Sequence, residues 1–135
     1  FSPIFPIGGI VNKGSKRALS AAEIAAYKAP FPNKASKAAP RIYPALVPLG
    51  PNVAVADQQA AWRVLENFER PFLCCFSDGD PITRGGERLF VDRVAGAKGM
   101  AHRHLHGGHF IQEDDPQGFV QAILDVAQAA RERVV

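Results

Sequence analysis

The chain has 135 residues, 16 of them basic and 13 acidic, giving a formal charge of +3 with 47% hydrophobic content. So high an apolar fraction excludes a disordered chain, and no apolar stretch has the length of a membrane span or the pattern of a secretory signal. Basic residues stand singly among Pro and Ala, without the continuous cluster that nucleic-acid binding requires, so neither nucleic acid nor membrane is an expected partner.

Charge and proline divide the chain. Residues 1–51 carry 7 Lys and Arg against the single acid Glu23, and 8 of the 11 prolines; residues 52–135 carry 9 basic and 12 acidic residues. Within the first part, Ser20-Ala21-Ala22-Glu23 is a capping-box pattern and predicts a short helix through Tyr27, stopped by Pro30 and Pro32. From Asn33 to Pro51, the prolines at 40, 44, 48 and 51 predict at most short helical turns joined by extended chain. This part reads as a lid or covering layer.

The second part is more regular. Asp57 is a plausible cap for a helix over 57–68, with Trp62, Leu65 and Phe68 at helical spacing. Pro71 to Phe76 is a continuous apolar run, expected as a strand covered on both faces, with Cys74 and Cys75 as free thiols on opposite sides. A helix over 85–95 follows through Leu89, Phe90 and Val94, then a weaker strand over 101–106. A last helix starts at Asp115-Pro116 and aligns Phe119, Ile123, Val126 and Ala130. Helix, strand, helix, strand, helix is the rhythm of a parallel α/β sheet.

Two strands are too few for such a sheet, which averages about 5–6 strands. The chain is therefore expected to be the carboxyl-terminal part of a larger α/β protein, an expectation that its first residue, Phe1, also suggests. The adjacent thiols, with no CxxC pair, suit a reducing compartment, and the expected location is the cytoplasm.

Ligands of open α/β sheets bind beyond the carboxyl ends of the strands. Those loops are Ser77-Asp78-Gly79-Asp80-Pro81-Ile82-Thr83 and His106-Gly107-Gly108-His109-Phe110. An acid after one strand and a histidine after the next, here Asp80 and His109, is the order in which an α/β-hydrolase supplies the acid and base of its triad.

Ala26-Tyr27-Lys28-Ala29-Pro30-Phe31-Pro32, Lys37-Ala38-Ala39-Pro40-Arg41 and Tyr43-Pro44-Ala45-Leu46-Val47-Pro48 resemble the cap of haloalkane dehalogenases. Phe76-Ser77-Asp78-Gly79-Asp80-Pro81-Ile82-Thr83 and Gly108-His109-Phe110-Ile111-Gln112-Glu113-Asp114 resemble the acid and histidine motifs of that family. The resemblance spans residues 7–127. It implies the last two parallel strands and flanking helices of an α/β-hydrolase fold over 52–135, preceded by part of a helical cap over 1–51. It also implies hydrolysis of a halogenated alkane by water through an aspartyl ester, with His109 as general base and Asp80 as its acid partner. Pro44, Val47, Ile82 and Phe110 are the implied substrate-lining residues, and no metal or cofactor is implied. Two positions depart from the pattern: Tyr43 replaces the usual Phe, and His106-Gly107 the usual Gly-Ala. No GxDxG or GxSxG elbow is present, so the nucleophile is absent from these residues and the chain alone is expected to be inactive. Trp62 reads as packing.

Two alternatives follow from particular side chains. Tyr27 and Tyr43 are cap-region tyrosines of the kind an epoxide hydrolase of the same fold uses to protonate an opening ring. His102, His104, His106 and His109 could hold zinc, although no carboxylate or cysteine is spaced to complete the site.

Overall fold

A computed structural model describes residues 5–47, 50 and 53–132. The element order is α1 (Ile7–Gly14), α2 (Ala21–Lys28), α3 (Ala38–Leu46), α4 (Val55–Glu66), β1 (Cys75–Ser77), α5 (Glu87–Arg93), β2 (Arg103–Leu105), α6 (Ile111–Asp114) and α7 (Pro116–Glu132). The chain is thus mostly helical, with two parallel strands paired Cys75 to Arg103, Phe76 to His104 and Ser77 to Leu105. The boundary expected between residues 51 and 52, with Pro48 and Pro51, falls outside the described residues.

The cap signals decide the helices that formed as expected. At α2 the Ser20 hydroxyl accepts the Glu23 N–H while the Glu23 carboxylate accepts the Ser20 N–H, completing the capping box. At α7 the Asp115 carboxylate accepts the Gly118 N–H at 2.9 Å. Asp57 is not a cap, because α4 starts earlier, at Val55, and Asp57 lies in its first turn.

The proline-rich stretch departs from expectation. Residues 38–46 form a continuous nine-residue helix, α3, with Pro44 inside it. Pro40 is its third residue, where the N–H would lack an intrahelical partner anyway, so only Pro44 deletes a helical hydrogen bond. The helix α1 was not expected, since Gly8 and Gly9 weaken helix propensity. Its C-terminal turn is closed by the Ser15 N–H on the Val11 carbonyl, and Asn12 Oδ1 accepts the Leu19 N–H beyond it at 2.7 Å.

Both strands are shorter than the expected spans of 71–76 and 101–106. The Cys74 N–H points toward β2 but is taken at 3.0 Å by the His102 ring, and the Phe72 N–H goes to the Gly96 carbonyl at 3.0 Å. The ladder therefore starts only at Cys75. Gly96 in turn donates to the Phe68 carbonyl at 2.7 Å, and a Cβ there would sit 1.8 Å from the Arg70 oxygen, so only glycine allows this approach.

Strand alternation assigns the two faces. Phe72, Cys74, Phe76 and His104 face α5: Phe90 stacks on Trp62 and Phe72 at centroid distances of 5.2 and 5.9 Å, and His104 reaches Glu87 at 3.1 Å. Trp62 is thus a packing residue, covered on one side by the Arg93 guanidinium 4.3 Å from its ring centre. On the other face, Arg103 pairs with Asp125 of α7. Cys74 is buried and Cys75 half-buried, both as free thiols, and burial raises the pKa of each.

Among the described residues no third strand pairs with β1. The ladder bonds from Arg103 N–H to Cys74 and from Asp78 N–H to Leu105 use even-numbered residues, which leaves the N–H and C=O of Leu73 and Cys75 on the opposite edge. Along that edge runs a groove of about 410 Å³ whose walls include Leu73, Cys75, Phe76, Phe90, Phe119 and Ile123. An open strand edge beside an apolar groove binds hydrophobic probes and favours loose packing. Expressed alone, the 135-residue chain is expected to enhance ANS fluorescence and to lack the near-UV circular dichroism of an ordered Trp62. A sharp near-UV spectrum without dye binding would contradict this.

Candidate active site

The parallel ladder continues one step past each strand. Asp78 N–H donates to the Leu105 carbonyl at 2.9 Å and Gly79 N–H to the Gly107 carbonyl at 3.0 Å, so the loops after β1 and β2 leave side by side. That pairing brings Asp80 and His109 together across 29 positions, with His109 Nδ1 3.0 Å from Asp80 Oδ2.

Asp80 is only 3% exposed. Its Oδ1 accepts the Ile82 N–H at 2.8 Å, and its Oδ2 accepts the Thr83 hydroxyl as well as the His109 ring. Burial pushes the carboxyl pKa up, but the bonds from Thr83, Ile82 and His109 outweigh it and hold the group down at about 2. An ionised carboxylate only accepts, so Nδ1 carries a ring hydrogen, and in the neutral imidazole Nε2 is the nitrogen with the lone pair. The His109 ring is about one-third exposed, with Phe110 edge-on at a centroid distance of 5.0 Å.

A second Asp–His pair lies beside the first. His106 Nδ1 is 2.8 Å from Asp78 Oδ2, and Lys16 Nζ is 2.9 Å from Asp78 Oδ1. These bonds, the Lys16 bond foremost and then that of His106, lower the Asp78 carboxyl well below the carboxylate range. The His106 side chain is 82% exposed, so this pair is solvated where the Asp80–His109 pair is half enclosed.

The four histidines do not converge. His102 Nδ1 accepts the Cys74 N–H and its Nε2 donates to the Ala97 carbonyl; His104, His106 and His109 pair with Glu87, Asp78 and Asp80 respectively. Among the described residues, no group of three or more His, Cys, Asp or Glu side chains is placed to hold a metal ion.

Of the expected substrate-lining residues, Phe110 touches His109, while Ile82 follows Asp80 with its side chain 73% exposed. Pro44 and Val47 belong to the exposed surface of α3 and its C-terminal end. Tyr27 does not offer a free hydroxyl: it donates to Glu113 Oε1 at 2.6 Å, and Gln112 donates to it at 3.3 Å.

Sequence reasoning missed what braces the histidine loop. Arg17 pairs with Glu23 and Glu113 at 2.7 and 2.6 Å, and Asp114 accepts three backbone N–H groups, from Lys16, Arg17 and Gly108. Residues 113 and 114 stand in the quoted histidine motif, but their partners Lys16 and Arg17 are nearly a hundred residues away and carry no sequence signal.

The Asp80 balance has a measurable consequence. Its depressed pKa contributes stability that is present above the ordinary carboxylate value and is lost as pH falls toward 2. A carboxyl ¹³C titration should place the Asp80 midpoint near 2, and Thr83→Ala should move it upward. An unmoved midpoint would remove Thr83 from that balance.

No family model matches the chain. It is 44% identical over 124 residues to a haloalkane dehalogenase of Psychrobacter cryohalolentis, covering 90% of this chain and 41% of that protein. It is 38% identical over 125 residues to a haloalkane dehalogenase of Mycobacterium marinum, covering 92% and 42%. With a haloalkane dehalogenase of Mycolicibacterium paratuberculosis it shares 38% identity over 130 residues, covering 96% and 43%. The chain thus spans about two fifths of the length of the curated relatives it matches. Over the residues that it spans, the chain is similar to haloalkane dehalogenases.

Proposed function

We propose that this chain forms the carboxyl-terminal part of a hydrolytic haloalkane dehalogenase and supplies the acid and base of its triad. In this reading residues 52–135 are the last two strands and flanking helices of an α/β-hydrolase core, and residues 1–51 belong to its helical cap. The groove along the free edge of β1 is where the sheet would continue, since both its backbone edge and its apolar walls suit one more strand.

The observation that carries the reading is the Asp80–His109 bond, formed by a buried, ionised carboxylate at the end of one parallel strand and an imidazole at the end of the next. A carboxylate from outside these residues would attack the halogen-bearing carbon, and halide would leave with the bonding electron pair. His109 Nε2 would then take a proton from water as the water oxygen attacks the ester carbonyl. Asp80 holds the required tautomer and stabilises the imidazolium. Collapse of the adduct with that proton passed to the leaving oxygen yields the alcohol and a carboxylic acid, which releases the water's second proton to solvent and so restores the carboxylate. Phe110 and Ile82, with Pro44 and Val47 from the cap, would present apolar surface to the alkane.

The epoxide reading loses support from Tyr27, whose hydroxyl is engaged by Glu113 rather than presented beside His109.

Positioned general bases contribute about 10²–10⁴-fold. In the intact enzyme, His109→Ala is expected to release one halide per site in a burst, accumulate the ester, and turn over more slowly by about that factor. Mass spectrometry of the trapped protein would show the alkyl adduct. Unchanged steady-state turnover in that variant would end His109's assignment.

A further inference from the structure

The Asp114 carboxylate accepts three backbone N–H groups from two separate segments of the chain. Its Oδ2 accepts Gly108 N–H at 2.7 Å and Lys16 N–H at 2.9 Å, and its Oδ1 accepts Arg17 N–H at 2.9 Å. The same strip of chain is held from its other side: His109 N–H donates to the Gly14 carbonyl at 2.7 Å. A Cβ on Gly108 would lie 2.3 Å from that carbonyl oxygen, so the two segments pass at the closest distance glycine allows. Residues 14–17, the exit of α1, therefore form one wall of the histidine loop, and Asp114 is the joint that fastens wall to loop.

We propose that Asp114 is a positioning residue for His109, acting through the Gly108 amide and the 14–17 segment to aim the imidazole into the cleft; this rests on the proposed role of His109. Asp114 reaches neither the imidazole nor Asp80. Its partners are two peptide units of the wall and the Gly107–Gly108 peptide unit, one removed from the peptide that joins Gly108 to His109. Losing it frees the backbone on which the ring is mounted while Asp80 can still bond Nδ1. Burial works to raise the Asp114 carboxyl, and the donations from Arg17, Gly108 and Lys16 outweigh it, leaving the group below its usual range and ionised. A charged acceptor makes roughly twice as strong a bond to an amide as a neutral one. Asparagine cannot substitute fully, because its amide nitrogen would oppose one of the three N–H donors.

The alternative is a purely structural tie, and kinetics separate the two. In the intact enzyme, Asp114→Asn is expected to give a full halide burst of one per site, because displacement does not use His109. Turnover per burst-competent site should fall by about 10²-fold, the cost of a misplacement near 1 Å, and the downfield Hδ1 proton resonance of the His109–Asp80 bond should broaden or shift. If Asp114 only holds the fold together, burst amplitude drops while the rate per site stays at the parent value; that result overturns the proposal. Should Asp114→Asn fail to fold, Asp114→Glu keeps the charge on a longer arm. It is expected to give a full burst with slowed turnover, and parent turnover per site would overturn the proposal equally. His109→Ala run in parallel separates the two ideas. Normal turnover there refutes the role of His109, whereas slowed turnover there with a normal Asp114→Asn refutes only the positioning.

Discussion

The parallel pairing of two three-residue strands is the constraint on which the rest depends. It is short, yet it continues through Asp78 to Leu105 and Gly79 to Gly107, so the loops that follow are held in register beyond the strands themselves. A slip of one residue would flip the faces of β1, moving Phe76 away from Phe90 and Cys75 away from α7. Register is defended by that two-sided burial: the aromatic group around Phe90 on one face, Arg103 with Asp125 on the other. Asp80 and His109 meet because the ladder delivers both loops to one place.

The relation between chain and structure follows from the range of each interaction. Ser20 with Glu23, and Asp115 with Gly118, are contacts over three residues, and both cap their helices as the local pattern predicts. The Asp80–His109 pair spans 29 positions but was legible through a general rule, that chemistry gathers at the carboxyl ends of parallel strands. The helix α1 was hidden because Gly8 and Gly9 speak against it and its support comes from packing on α2. In α3 the proline count misled, since position within the first turn decides what a proline costs. Asp114 lay out of reach entirely: its bonds to Lys16 and Arg17 cross 98 and 97 positions and go to amides that every residue but proline possesses.

The amino-terminal segment is consequently more than a cover. Lys16 reaches Asp78, Arg17 ties Glu23 to Glu113, and Gly14 takes the His109 amide, so residues 14–17 touch both loops that carry Asp80 and His109. Tyr27 joins the same group through Glu113. The basic character of the first part is partly taken up by these internal pairs. Charge asymmetry along a chain has a binding interpretation only after such pairings are subtracted.

The two neighbouring Asp–His pairs differ in burial rather than in pairing. Both bonds have ordinary lengths, 2.8 Å for Asp78–His106 and 3.0 Å for Asp80–His109. Around His106 water screens the attraction, which in bulk solvent is about a quarter of its strength at the effective dielectric of about 20 found near a protein surface. Lys16 also competes there for the same carboxylate. Asp80 is withdrawn from water, and Thr83 and Ile82 satisfy what His109 leaves open, so its charge is stabilised by fixed donors that need not reorganise when a proton arrives at Nε2. An imidazole backed in this way has one tautomer and an electrostatic partner withdrawn from water; the pair beside it shares its carboxylate with Lys16 and stands in solvent.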